Sequence, residues 1–168
     1  GPLVTRAAVE RVEGYIQQGV DEGATLLADG RGFSVPGHEQ GFYLGPTLFD
    51  HVTTDMAIYR EEIFGPVLVI ARAADYEEAL RMASEHEYGN GVAGEDRDGD
   101  AARDFAARVE VGMVGVNVPI PVPIAYYTFG GWKRSGFGDL NQHGADAFRF
   151  YTNCLLYTSD AADEGLGV

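Results

Sequence analysis

Only one cysteine, Cys154, occurs in the 168 residues of this chain. That excludes an intramolecular disulfide framework and leaves a single thiol to weigh as a nucleophile. Basic side chains are also scarce. Twelve Lys and Arg stand against twenty-six Asp and Glu, a formal net charge of −14. Nucleic-acid backbones are bound by cationic neutralisation, so this balance argues against such a partner and against an anionic membrane surface. Acidity of this kind serves solubility. The sequence has no apolar run long enough to span a bilayer and no signal-peptide pattern. The histidines His38, His51, His86 and His143 show no metal-ligand spacing. Each reads as a surface or capping residue, and no metal site is expected.

What is present is an α/β pattern. Residues 5 to 22 read as an amphipathic helix, with Thr5 as its cap and Val9, Val12, Ile16 and Val20 at helical spacing. Gly23 ends it. Residues 29 to 44, rich in Gly, read as a loop or hairpin, and Pro46 to Val52 as extended chain. The apolar run Val67 to Ile70 suits a strand buried on both faces. Asp75 and Glu78 form a capping box for a helix whose apolar face is Tyr76, Ala79, Leu80 and Ala83. A strand near Asn90 to Ala93 follows, then a helix presenting Ala102, Phe105, Ala106 and Val109, then a strand at Met113 to Val116. Strands alternating with helices imply right-handed crossovers and a mostly parallel sheet flanked by helices. Pro119, Pro121 and Pro123 alternate with Ile120, Val122 and Ile124, which makes a stiff extended loop beyond a strand end. Ligands gather at the carboxyl ends of strands in such sheets, so this loop either walls a site or simply connects.

Two blocks carry chemistry. The first is Glu61-Glu62-Ile63-Phe64-Gly65-Pro66; the second is Phe129-Gly130-Gly131-Trp132-Lys133-Arg134-Ser135-Gly136. A carboxylate can accept two hydrogen bonds from a ribose diol, and an aromatic ring can hold the face of a nicotinamide. Read locally, however, the first block is better explained as an exposed acidic pair before a turn. Together, in this order and spacing, the blocks resemble the EEIFGP and FGGxKxSG signatures of the NAD(P)-dependent aldehyde dehydrogenase superfamily. The stretch Val111 to Pro123, followed by Ala125-Tyr126-Tyr127 and by Trp132, is most similar to the CoA-acylating methylmalonate-semialdehyde branch. The resemblance runs from about Gly1 to Thr152.

The resemblance implies a three-layer catalytic domain, of which residues 1–153 are the C-terminal part. It implies that Glu62 binds the nicotinamide ribose and Phe64 contacts the nicotinamide end. It places Asn117 behind the loop of the nucleophilic cysteine, as a supporting rather than a catalytic residue. Phe129 becomes a wall of the aldehyde path, with an ordinary core phenylalanine as the competing reading. Lys133 and Arg134 read as surface charges or ion-pair partners. For the intact enzyme it implies attack of a cysteine thiolate on a semialdehyde, hydride transfer to NAD, and acyl transfer to coenzyme A. A cytoplasmic homo-oligomer, dimer or tetramer, is the corresponding expectation. The nucleophile is expected upstream of this chain, so the fragment itself is expected to be inactive.

Two features are set aside. Gly89 to Gly94 matches G-x-G-x-x-G, but it follows a helix and opens a strand, the reverse of a dinucleotide fingerprint. Residues 154–168 resemble translated adapter sequence, and are read as a non-native, disordered tail. That removes Cys154 as a nucleophile. Two alternatives stay open: an aldehyde dehydrogenase that hydrolyses its thioester, and a non-catalytic member of the superfamily.

Overall fold

The computed structural model describes residues 1–156, which form two compact units meeting in sequence at Glu87 and Tyr88. The α/β class expected from the sequence is what the residues build.

The first unit begins with α1 (Arg6–Asp21), whose Thr5 hydroxyl accepts from the Ala8 N–H at 3.1 Å. Two antiparallel strands follow, β1 (Thr25–Ala28) and β2 (Thr47–Asp50), with a register shift between Leu26 and Ala28. The Gly-rich segment between them is the expected hairpin connection. A short helix, α2 (Ala57–Arg60), leads to β3 (Val67–Val69), which pairs in parallel with β2. Helix α3 (Tyr76–Glu85) closes the unit. Val12 and Ile16 of α1 pack on Phe49 of β2, and all three are sealed from solvent. Burying side chains of this size stabilises by roughly 1.5–3 kcal/mol each. They anchor the core that Leu44, Val52, Met56 and Ile58 complete.

The second unit begins with β4 (Tyr88–Gly89) and β5 (Gly91–Gly94), followed by α4 (Gly99–Arg108) and β6 (Met113–Val116). Strands β5 and β6 pair in parallel over four residues each, the expected crossover through α4. Strand β7 (Trp132–Lys133) pairs antiparallel with β4, and α5 (Ala147–Tyr151) ends the described chain. The G-x-G-x-x-G match spans β4 and β5 and opens no helix, which begins only at Gly99.

Three expectations need correction. The run Val67 to Ile70 is not buried on both faces: Leu68 is 64% exposed. Successive strand residues point to opposite faces, so Val67 and Val69 reach the core while Leu68 turns away. Val20 and Tyr76, assigned to apolar faces, are each 37% exposed at their helix ends, and Ala79 and Ala106, assigned to the same kind of face, are exposed as well. The capping box at Asp75 also differs in detail. Asp75 accepts from the Glu78 N–H at 2.9 Å, but the Glu78 carboxylate reaches back to the Ala74 N–H.

Candidate functional site

Glu62 and Phe64 occupy the turn between α2 and β3, in the first unit. The turn is built against α1. A Cβ at Gly65 would lie 2.7 Å from both γ-methyls of Val12, so only glycine lets the chain pass this close to the core. Immediately before it, Phe64 takes a left-handed backbone conformation with φ of 52°. A bulky residue there costs about 1–3 kcal/mol, a strain that clusters at ligand sites. The ring lies outward: Phe64 is 72% exposed. Glu62 is exposed as well. An acidic acceptor and an aromatic face are thus presented to solvent from one turn.

Helix α2 sets where this turn starts. A cleft of about 250 Å³ lies beside it, lined by Thr54, Tyr59, Arg60, Arg81, Glu85 and His86 among others. His86 is the C-cap of α3, and its Nε2 lies 2.9 Å from the Tyr59 carbonyl. The Tyr59 hydroxyl donates to the Met82 carbonyl at 3.2 Å, and burial pushes its phenol above the ordinary value. At the other end of α2, the Ala57 N–H donates to the Glu22 carboxylate at 2.8 Å. Sequence reasoning assigned no site role to Glu22, Tyr59 or His86. The one available signal is a histidine directly after a capped helix, which in sequence reads as a surface or capping residue.

Asn117 and Phe129 belong to the second unit. Asn117 follows β6 with φ of 55°. Its Nδ2 donates to the Asp96 carbonyl and its Oδ1 accepts from the Asp96 N–H, both at 3.0 Å. The side-chain amide therefore continues the β5–β6 ladder one step past the strand ends. Phe129 is half-buried and stacks on His143, rings 4.6 Å apart and within 8° of parallel. The glycines after it are forced by packing, since a Cβ at Gly131 would run into the Ser135 carbonyl. Arg134 lies over the Tyr88 ring at 5.7 Å, in keeping with a surface cation. Cys154 is exposed. The tail expectation otherwise falls on residues outside those described. Among the described residues no helix is long and apolar enough to cross a membrane, and no cluster of three His, Cys, Asp or Glu could hold a metal.

The sequence model of the aldehyde dehydrogenase family matches residues 1–155, and the chain belongs to that family. The chain is 61% identical over 152 residues to the malonate-semialdehyde dehydrogenase of Pseudomonas aeruginosa, covering 90% of this chain and 31% of the relative. A Sinorhizobium meliloti structure assigned as a methylmalonate-semialdehyde dehydrogenase, complexed with NAD, superposes with a TM-score of 0.88 at 60% identity. The match covers 91% of this chain and 31% of that one. The methylmalonate-semialdehyde dehydrogenase DddC of Oceanimonas doudoroffii gives the same TM-score at 51% identity, covering 98% and 34%. The chain thus spans about a third of the length of the relatives it matches.

Proposed function

We propose that the protein is part of an NAD-dependent semialdehyde dehydrogenase that acts on malonate or methylmalonate semialdehyde and passes the acyl group to coenzyme A. The observation that carries this reading is the turn in which Glu62 and the strained Phe64 face solvent together. Its acceptor and aromatic face fit the nicotinamide end of the cofactor. An exposed carboxylate suits a ribose diol, and an exposed ring suits a planar heterocycle. The likeness to an NAD-complexed semialdehyde dehydrogenase supports the same assignment.

When bound, NAD would supply the hydride acceptor. The chain's own residues orient and support. Glu62 would hold the ribose and Phe64 would limit the tilt of the ring, both by restricting geometry before reaction. Asn117 holds the backbone beyond β6 in place, and through it the loop that carries the nucleophile. Phe129, braced by His143, forms a wall of the aldehyde path. The working enzyme is a cytoplasmic homo-oligomer.

The test uses the full-length enzyme with Glu62→Gln. The change removes the charge and one acceptor oxygen while keeping size. A hydrogen bond to a charged group is worth about 1.5–3 kcal/mol, so hydride transfer should slow by about one to two orders of magnitude. Stopped-flow NADH formation reads that step, and Glu61→Gln is the control. Equal rates in all three proteins would remove Glu62 from the site. Chromatography of the product separates the acyl-CoA expected here from the free acid of a hydrolytic enzyme.

A further inference from the structure

We propose that His86 and Glu22 are positioning residues that hold α2 at its two ends and so fix the Glu62–Phe64 turn. The proposal rests on the cofactor reading of Glu62 and Phe64.

A helix of four residues does not hold itself, since nucleation fixes several dihedral angles for a single hydrogen bond. Met56, its N-cap residue, makes no side-chain capping bond. The cap comes instead from Glu22, 35 residues earlier, whose carboxylate takes the Ala57 N–H in a partly buried setting. Glu22 is itself held, as the C-cap residue of α1 and by the Gln18 amide at 2.9 Å. At the far end α3 grips one residue, Tyr59, three ways. His86 Nε2 donates to its carbonyl, the two rings meet edge to face at 5.1 Å, and its hydroxyl bonds the Met82 carbonyl. A carbonyl only accepts, so the geometry assigns the imidazole proton to Nε2.

Tyr59 lies three residues before Glu62, and Gly65 is pinned on Val12 just beyond. The turn is therefore fixed at both ends, and on the α2 side the fixing groups are His86 and Glu22. Neither needs to touch the cofactor. Each acts by holding the carboxylate and ring at their place, where a small misplacement is expensive in rate.

The experiment measures the full-length enzyme carrying His86→Ala, His86→Gln, Tyr59→Phe and Glu22→Gln, each alone and His86→Ala also with Glu62→Gln. Losing one neutral hydrogen bond corresponds to about three- to tenfold. His86→Ala should slow hydride transfer by about that factor, raise amide exchange across residues 57–66 in the cofactor-free protein, and leave the KM for NAD within about twofold. His86→Gln, which keeps a donor, should restore most of the rate. In the Glu62→Gln background the effect of His86→Ala should shrink, because one of the two groups it positions is gone. If His86→Ala gives too little folded protein, Tyr59→Phe and Glu22→Gln carry the same expectation with smaller perturbation. A folded variant set with unchanged hydride transfer and unchanged exchange at 57–66 overturns the proposal. So does a slowing that is equal in both backgrounds. If Glu62→Gln alone changes nothing, the cofactor reading itself fails, and the positioning role falls with it.

Discussion

Asp50 shows how much a single residue can hold in place here. It ends β2 and, at 7% exposure, carries a largely buried carboxylate. The Arg72 guanidinium binds it through Nε at 2.9 Å and Nη2 at 2.6 Å, and the His51 N–H adds a third bond at 2.7 Å. The Arg72 bonds first, and the His51 backbone bond second, lower its pKa from 3.8 to about 2. The folded protein thus takes up this proton less readily than the unfolded chain. Its contribution to stability is complete above the ordinary carboxylate pKa and is lost as pH falls from about 4 toward 2. Arg72 is largely exposed, so water screens the pair and moderates the effect. Melting curves of the protein and of Asp50→Asn should differ by a constant gap above about pH 5. That gap should narrow between about pH 4 and 2. A gap that persists to pH 2 would mean that the charge on Asp50 is irrelevant.

At the scale of elements, helices α1 and α3 take their N-terminal caps from local chemistry that is readable from sequence. Helix α3 buries only Leu80 fully, so its ends decide whether it forms. Asp75→Ala removes the acceptor for the Glu78 N–H and should destabilise by about 1 kcal/mol. A urea titration should show a lower midpoint at unchanged slope, with raised amide exchange in the first turn of α3. An unchanged midpoint would show that the Glu78–Ala74 bond alone suffices as a cap. The caps at Thr5 and Asp75 and the strand Met113 to Val116 were legible because each depends on residues within a few positions. So was the turn that carries Glu62 and Phe64, written in one short block that ends in Gly65-Pro66. The antiparallel β4–β7 pair, the outward turn of Leu68, and the bonds Glu22–Ala57 and His86–Tyr59 were not legible. They join residues 27 or more apart, or depend on which face is covered, and no local pattern encodes either. Asn117 shows both sides of this. Its place at a strand end was readable, but its two bonds to Asp96 follow only from the parallel register of β5 and β6.

The whole molecule sets two tendencies against each other. The net charge of −14 opposes association through like-charge repulsion. Against it stands an apolar surface concentrated in the second unit. Tyr126 is 70% exposed, Phe137 87%, Phe148 81% and Tyr151 71%, with Ile120 and Val122 of the proline loop alongside. Single exposed hydrophobes are ordinary, but a concentration of large ones in one unit favours burial against another surface. Strands β5 and β6 pair only with each other among the described residues, which leaves an outer edge on each. Both features favour contact between copies, and neither specifies one geometry. The 168-residue chain by itself should therefore self-associate into a polydisperse population. Repulsion among exposed charges is screened over roughly 8–10 Å at physiological salt. Raising salt should accordingly enlarge the particles, and lowering it should shrink them. Light scattering on a concentration series at two ionic strengths measures both effects. A single monomer peak at every condition would mean that the exposed aromatic side chains find cover within one molecule.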